Sequence, residues 1–172
     1  IMPWIWVSVG SNMDPEANIR AGIQILNERF GALALSPVYE TTAVGFVGDA
    51  FLNMVLGFAT ELPLDKVRLM LRDIEHARGR TRDGDKFGSR TLDLDILTYG
   101  DLVDESRDIP RAEIMHYAFV LAPLADVAPE QVHPGLGKTY AQLWRDFPGA
   151  RTGMRQVALT GLSGNRGSAT ET

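Results

Sequence analysis

Apolar positions in this chain recur first with the period of a strand and then with that of a helix. Trp4 to Val9 is a β-rich run ending at Gly10-Ser11-Asn12. Asp14-Pro15 follows as an expected N-cap and first helical residue. Ile19, Ile23, Leu26 and Phe30 then recur at helical spacing up to Gly31. Leu33 to Thr41 reads as a second strand interrupted by Pro37, and Phe51 to Thr60 as a third, with a glycine-containing loop from 43 to 50 between them. Leu64, Val67, Leu71 and Ile74 form the stripe of a second helix closed by Gly79, and the apolar run around Leu92 to Leu97 gives a fourth strand. The order β-α-β-β-α-β predicts an α+β fold of the ferredoxin-like, split β-α-β kind: an antiparallel sheet with helices on one face.

Beyond Gly100 the pattern loosens. A loop reaches Pro110, and an apolar run from Ala118 to Val127 is punctuated by Pro123. Thr139 with Gln142 predicts a capping box for a short helix carrying Tyr140, Leu143, Trp144 and Phe147. This region is expected to pack on the sheet as a small C-terminal extension. A single domain is expected over residues 2–150, with 151–172 a tail, partly disordered because its end is poor in apolar residues.

Composition narrows the function classes. The 172 residues suffice for one domain with a real core, and 45% hydrophobic content is ordinary for a globular protein. A net charge of -5 argues against a broad nucleic-acid footprint. No stretch reaches the roughly 18–20 apolar residues that span a bilayer, and no basic-then-apolar leader is seen, so a soluble cytoplasmic protein is expected. The sequence has no cysteine, which removes disulfides, thiolate metal sites and cysteine nucleophiles.

The chemistry concentrates in Arg90-Thr91-Leu92-Asp93-Leu94-Asp95-Ile96-Leu97. On a strand, Asp93 and Asp95 share a face, about 7 Å apart along the backbone. Two carboxylates on an apolar strand need a metal or a ring of cations, although alternating charge also marks a strand with one wet face. Arg80, Arg82 and Arg90 lie close in sequence and suit phosphate oxygens by their fork geometry. Asn53 interrupts an apolar strand, and its amide offers both donor and acceptor to a heterocycle edge; a core Asn satisfied by backbone is the plainer alternative. Phe51, Phe87 and Phe119 lie outside the helical stripes and could sandwich a flat ring. Gly135-Leu136-Gly137-Lys138-Thr139 is not a P-loop, since Val132 stands where its first glycine belongs. His76, His116 and His133 lack metal-ligand spacing and read as structural or surface residues.

Phe87-Gly88-Ser89-Arg90-Thr91-Leu92-Asp93-Leu94-Asp95-Ile96-Leu97 resembles the signature of the 6-hydroxymethyl-7,8-dihydropterin pyrophosphokinase family of the folate pathway. The likeness extends to Val7-Ser8-Val9-Gly10-Ser11-Asn12, Tyr39-Glu40-Thr41, Gly45, Phe51-Leu52-Asn53, Glu75 with Gly79-Arg80, and Phe119 to Leu124. It implies transfer of pyrophosphate from ATP, as co-substrate, to the hydroxymethyl group of the pterin, with AMP released and two Mg²⁺ held by Asp93 and Asp95. It assigns Arg80, Arg82 and Arg90 to phosphate neutralisation. The implied pterin site is Thr41, Thr42, Val44, Phe51, Asn53, Phe87 and Phe119, and the implied ATP site is Glu75, Arg82, Ile96, Arg107 and Arg111. It leans toward a monomer or weak dimer acting on small molecules, with the loops 43–50 and 80–90 closing over them.

Departures from the family pattern are equally plain. Phe87 and Ser89 stand where Trp and Pro are usual, Pro110-Arg111-Ala112 replaces Pro-His-Pro, and Tyr117 replaces an Arg. Arg111 is therefore expected to relocate a cation within the ATP site. A divergent paralogue that binds pterin or nucleotide with altered or lost transfer remains the alternative from these departures. A ferredoxin-like RNA-binding module would need a basic surface and exposed sheet aromatics that this chain does not offer.

Overall fold

The computed structural model describes residues 2–42, 50–79, 92–151, 153–159 and 165–166. The expected order is present as β1 (Trp4–Ser11), α1 (Pro15–Phe30), β2 (Ala34–Leu35), β3 (Val38–Thr41), β4 (Phe51–Ala59), α2 (Leu64–Ala77) and β5 (Asp93–Tyr99). The sheet runs β5-β1-β4-β2, with β3 also paired to β4. All of these pairings are antiparallel, the order of a split β-α-β fold. Pro37 divides β2 from β3 because it has no N–H for the ladder. Ser36 bridges the break: its N–H donates to the Val55 carbonyl at 2.9 Å, and its Oγ accepts from Val55 N at 2.8 Å.

Alternation along the strands builds two cores. Ile5, Val7 and Val9 of β1, Met54, Leu56 and Phe58 of β4, and Leu94 and Ile96 of β5 pack on Ile19, Ile23 and Leu26 of α1 and Leu64, Val67 and Leu71 of α2. The opposite face presents Trp6, Val55 and Leu97 to α3 (Ala118–Val127) and α4 (Tyr140–Arg145). The helices of the split unit thus share one face as expected. The C-terminal helices pack on part of the other, because its second face also carries large apolar residues.

Local expectations fared unevenly. Thr139 and Gln142 form the capping box, with Gln142 N donating to Thr139 Oγ1 at 3.1 Å and Thr139 N to Gln142 Oε1 at 2.9 Å. Pro15 starts α1, but Asp14 lies in the left-handed region (φ 42°) and makes no side-chain cap; its carbonyl accepts from Asn18 N at 3.1 Å. Pro123 sits inside α3 rather than at a break, tolerated because tertiary packing on the sheet holds a nearly all-apolar helix. Within the segment read as a tail, β6 (Met154–Val157) pairs antiparallel with β3, and β7 (Asn165–Arg166) pairs parallel with β2. No helix among the described residues is long and apolar enough to cross a membrane.

Candidate active site

α3 and α4 cover the half of their face around Trp6 and leave the Ser8–Gly10 end of the sheet open. Gly57 helps fix that boundary. A Cβ there would meet the Trp6 ring at 2.4 Å and Trp4 Nε1 at 2.6 Å, so only glycine admits the edge-on Trp4–Trp6 pair, whose centroids are 5.5 Å apart.

On the open end, strand register lays polar residues in a row. Asp93 pairs with Gly10, Gly10 with Asn53, Asn53 with Tyr39, and Tyr39 with Gln156. Asp95 pairs with Ser8 one pleat along. Paired strands are about 4.8 Å apart, so Asp93 and Asn53 stand about 10 Å from each other on one face. The two carboxylates share that face as the D-x-D spacing requires, while Leu94 between them turns into the core at 5% exposure. These positions line a cavity of about 690 Å³, bounded by Ser8, Gly10, Thr41, Thr42, Phe51, Asn53, Asp93 and Asp95 from the sheet and by Arg111, Glu113, Tyr117, Phe119 and Val120 from the C-terminal region.

Each wall is held by short-range bonds. Asn53 Nδ2 donates to Thr41 Oγ1 at 3.0 Å, which fixes the plane of the amide. Gly10 lets that amide lie close to β1, since a Cβ there would be 3.0 Å from Asn53 Oδ1. Thr42 N donates to the Gly153 carbonyl at 3.1 Å, tying the cavity rim to the turn before β6. Beneath the rim, the Tyr39 hydroxyl donates to Asp126 Oδ2 and accepts from Gln156 Nε2, the latter at 3.1 Å. Burial and then the Asp126 bond push the Tyr39 phenol up to about 12, and burial raises the Asp126 carboxyl against the opposing effect of Tyr39.

On the opposite wall, the Arg111 backbone N donates to the Leu97 carbonyl at 2.8 Å, docking its segment on β5. The guanidinium sits among three carboxylates: Glu113 at 3.0 Å, Asp108 at 3.7 Å and Asp95 at 3.9 Å. Burial alone would lower its pKa; the Glu113 hydrogen bond and the charges of Asp95, Glu113 and Asp108 outweigh that and leave it above its ordinary value. Arg111 Nε is buried and has no hydrogen-bond partner among the described residues. Tyr117 and Phe119 stack, centroids 4.9 Å apart and planes at 19°, presenting an aromatic wall.

Of the residues singled out from sequence, Thr41, Thr42, Phe51, Asn53, Asp93, Asp95, Arg111 and Phe119 therefore converge on one cavity. Three others lie elsewhere. Glu75 is 6% exposed on α2, where its Oε2 accepts from Leu94 N at 2.9 Å. Ile96 points its side chain into the core on the far face. Arg107 ends a short 3-10 turn (Glu105–Arg107), 3.6 Å from Asp65 and 3.5 Å from Asp104, and is not among the residues lining the cavity. Val44, Arg80, Arg82, Phe87 and Arg90 fall outside the described residues. Ser8, Gly10 and Glu113 were not singled out as site residues. Glu113 had only its place two residues after Arg111 to mark it, whereas register across β1 could have found the other two.

His133 is structural. Its Nδ1 accepts from Gly135 N at 3.0 Å and Leu136 N at 3.1 Å in the glycine turn that leads to α4, the turn rejected above as a P-loop.

Comparison with known proteins agrees with this geometry. The family model of 7,8-dihydro-6-hydroxymethylpterin-pyrophosphokinase (HPPK) matches residues 6–129. The 2-amino-4-hydroxy-6-hydroxymethyldihydropteridine pyrophosphokinase of Pseudomonas aeruginosa is 38% identical over 136 residues, covering 73% of this chain and 81% of that protein. The protein of the same name from Bacillus subtilis is 34% identical over 128 residues, covering 71% and 76%. A crystal structure of Plasmodium falciparum HPPK-DHPS shares the fold at a TM-score of 0.66 and 13% identity, with 84% of this chain matched to 44% of that one. From residue 6 to residue 129, across both walls of the cavity, the chain belongs to the 7,8-dihydro-6-hydroxymethylpterin-pyrophosphokinase family.

Proposed function

We propose that the protein transfers the pyrophosphoryl group of ATP to 6-hydroxymethyl-7,8-dihydropterin, giving AMP and the pterin diphosphate. The observation that carries this reading is the arrangement across the sheet: Asp93, with Asp95 one pleat along, and in Asp93's row a fixed amide about 10 Å away, all facing one cavity. A polar heterocycle at Asn53 would point its hydroxymethyl arm along the row toward the phosphates.

Asp93 and Asp95 suit Mg²⁺, which takes oxygen donors and is commonly held by one or two carboxylates plus substrate phosphates. Among the described residues no group of three or more His, Cys, Asp or Glu gathers into a self-sufficient metal cage, which fits a site completed by the nucleotide. Two such ions, when bound, would neutralise the triphosphate and lower the pKa of the attacking hydroxyl. The hydroxymethyl oxygen attacks the β-phosphorus, the bond to the α,β-bridging oxygen breaks, and AMP departs with that electron pair while the hydroxyl proton is lost. Such chemistry rests on positioning and charge stabilisation more than on a protein base.

The chain's own residues supply that positioning. With one amide hydrogen committed to Thr41, Asn53 offers its other hydrogen and its carbonyl oxygen to the ring edge. Phe119, backed by Tyr117, and Phe51 offer ring faces. Arg111 brings a permanent cation to the nucleotide side. From the resemblance, Arg80, Arg82 and Arg90 neutralise phosphate oxygens, Val44 and Phe87 complete the pterin site, and Glu75, Ile96 and Arg107 serve the ATP site. For Glu75 that service is the placement of the strand that carries both aspartates. We further propose that residues 2–150 form the catalytic domain, and that it works as a monomer or weak dimer in the cytoplasm, on small molecules and without nucleic acid.

AMP release from ATP and Mg²⁺ tests the reading. It is expected only when the pterin is present and is expected to vanish in Asp95→Ala. Folded, ATP-binding protein that yields no AMP would instead mark a divergent paralogue.

A further inference from the structure

A cation already stands beside Asp95. The Arg111 Nη2 is 3.9 Å from Asp95 Oδ2 and 3.0 Å from Glu113, while Nη1 is 3.7 Å from Asp108. Its reach is fixed at both ends. The backbone N is bonded to the Leu97 carbonyl of the aspartate strand, and Asp108 and Glu113 grip the head. The side chain is one-quarter exposed, so water screens it only partly, and both it and Asp95 line the cavity.

We infer that Arg111 is a tethered counter-ion of Asp95, which an incoming divalent cation must displace and which Asp108 and Glu113 then retain at the cavity wall for the nucleotide. This rests on the reading of Asp95 as a metal ligand. The physical basis is competition: one carboxylate cannot give full electrostatic benefit both to a guanidinium and to a divalent ion, and the two cations repel at this separation. Because Asp108 and Glu113 stay bound to the guanidinium, loss of Asp95 does not strand a half-buried charge. The arrangement therefore weakens metal binding to the empty protein. It favours binding once nucleotide phosphates supply the anion that both cations share. Arg111 is a positioning residue in this sense, poised to move its allegiance from carboxylate to phosphate.

The test is Mn²⁺ binding to the nucleotide-free protein, read from the electron paramagnetic resonance signal of free Mn²⁺. Arg111→Met keeps the apolar stem, and the variant is expected to bind Mn²⁺ about three- to tenfold more tightly than wild type, the range of a partly screened ion pair. Arg145→Met removes the same charge from an exposed side chain outside the cavity and is expected to change affinity less than twofold, roughly the effect of a screened exposed charge. Arg111→Lys, which keeps a cation and guards against a folding failure of the Met variant, is expected to stay near wild type. Asp95→Asn is expected to abolish the binding. Unchanged or weaker affinity in Arg111→Met, with Asp95→Asn still abolishing it, would overturn the counter-ion and leave the metal-ligand reading intact. Equal tightening in Arg145→Met would overturn it as well, by showing a bulk charge effect. Binding indifferent to Asp95→Asn would overturn both.

Discussion

Glu75 and Leu94 are joined across the edge of the sheet: the buried carboxylate on α2 accepts the backbone N–H of the residue that separates Asp93 from Asp95, at 2.9 Å. Among the described residues β5 is an edge strand whose other side pairs with β1, and no strand receives this N–H. The helix supplies the acceptor. One side chain thereby fixes the backbone from which both cavity carboxylates project.

Glu75→Ala is expected to lower stability by about 1–3 kcal/mol, the cost of leaving a buried donor unmade. It is also expected to reduce turnover more than it raises the KM for ATP. Glu75→Gln keeps a carbonyl acceptor and should retain most of both. Urea unfolding together with steady-state kinetics on the two variants checks the pair; equal losses in Gln and Ala would show that the negative charge, not the acceptor, is what matters.

Gly10 is expected to govern the pterin through Asn53. An alanine Cβ would stand 3.0 Å from Asn53 Oδ1, so the amide must give by a few tenths of an ångström while still bonded to Thr41 Oγ1. Gly10→Ala should raise the KM for the pterin about tenfold or more, as expected when a site built to hydrogen-bond its substrate is misaligned, with a smaller change for ATP. Asn53→Ala should do at least as much. Substrate-resolved kinetics would show an unaltered pterin KM in Gly10→Ala if the amide does not read the ring.

His133 sets an acid limit to stability. Burial lowers its folded pKa, with its own backbone hydrogen bond opposing, and its Nδ1 must stay unprotonated to accept from Gly135 and Leu136. The unfolded chain takes up the proton near the ordinary value of about 6.5, so below that pH it binds more protons than the folded chain. Stability is therefore expected to fall as pH drops from about 6.5 toward the lower folded value, and to level off beneath it for this group. His133→Asn, measured by thermal unfolding from pH 7.5 to 5, should flatten that slope at some cost in stability at neutral pH. A slope unchanged in the variant would assign the loss to other groups.

Much of this was legible because it depends on short periods. The two-residue repeat placed Asp93 and Asp95 on one face and Leu94 in the core, and the helical stripes of Ile19-Ile23-Leu26 and Leu64-Val67-Leu71 marked the faces of α1 and α2. Thr139 with Gln142 is a local signal for a local bond. What depended on distant partners was not legible. Packing on the sheet carries α3 through Pro123 without interruption, and the backbone at Asp14 turned left-handed where a side-chain cap was expected. The pairing of β6 with β3 joins residues more than a hundred positions apart, with Met154 and Val157 packed on the two cores, a partnership no short repeat marks. Glu75 and Ile96 matched family positions, yet only the fold reveals that one braces β5 from α2 and the other fills the core beneath it.

The most direct test is the identity of the products when ATP, Mg²⁺ and 6-hydroxymethyl-7,8-dihydropterin are incubated with the protein and followed by phosphorus NMR. AMP and a pterin diphosphate are expected to rise together in equal amounts, without ADP or inorganic phosphate. ADP with a pterin monophosphate, or AMP formed equally well without the pterin, would contradict transfer of an intact pyrophosphoryl group along the Asp93–Asn53 row.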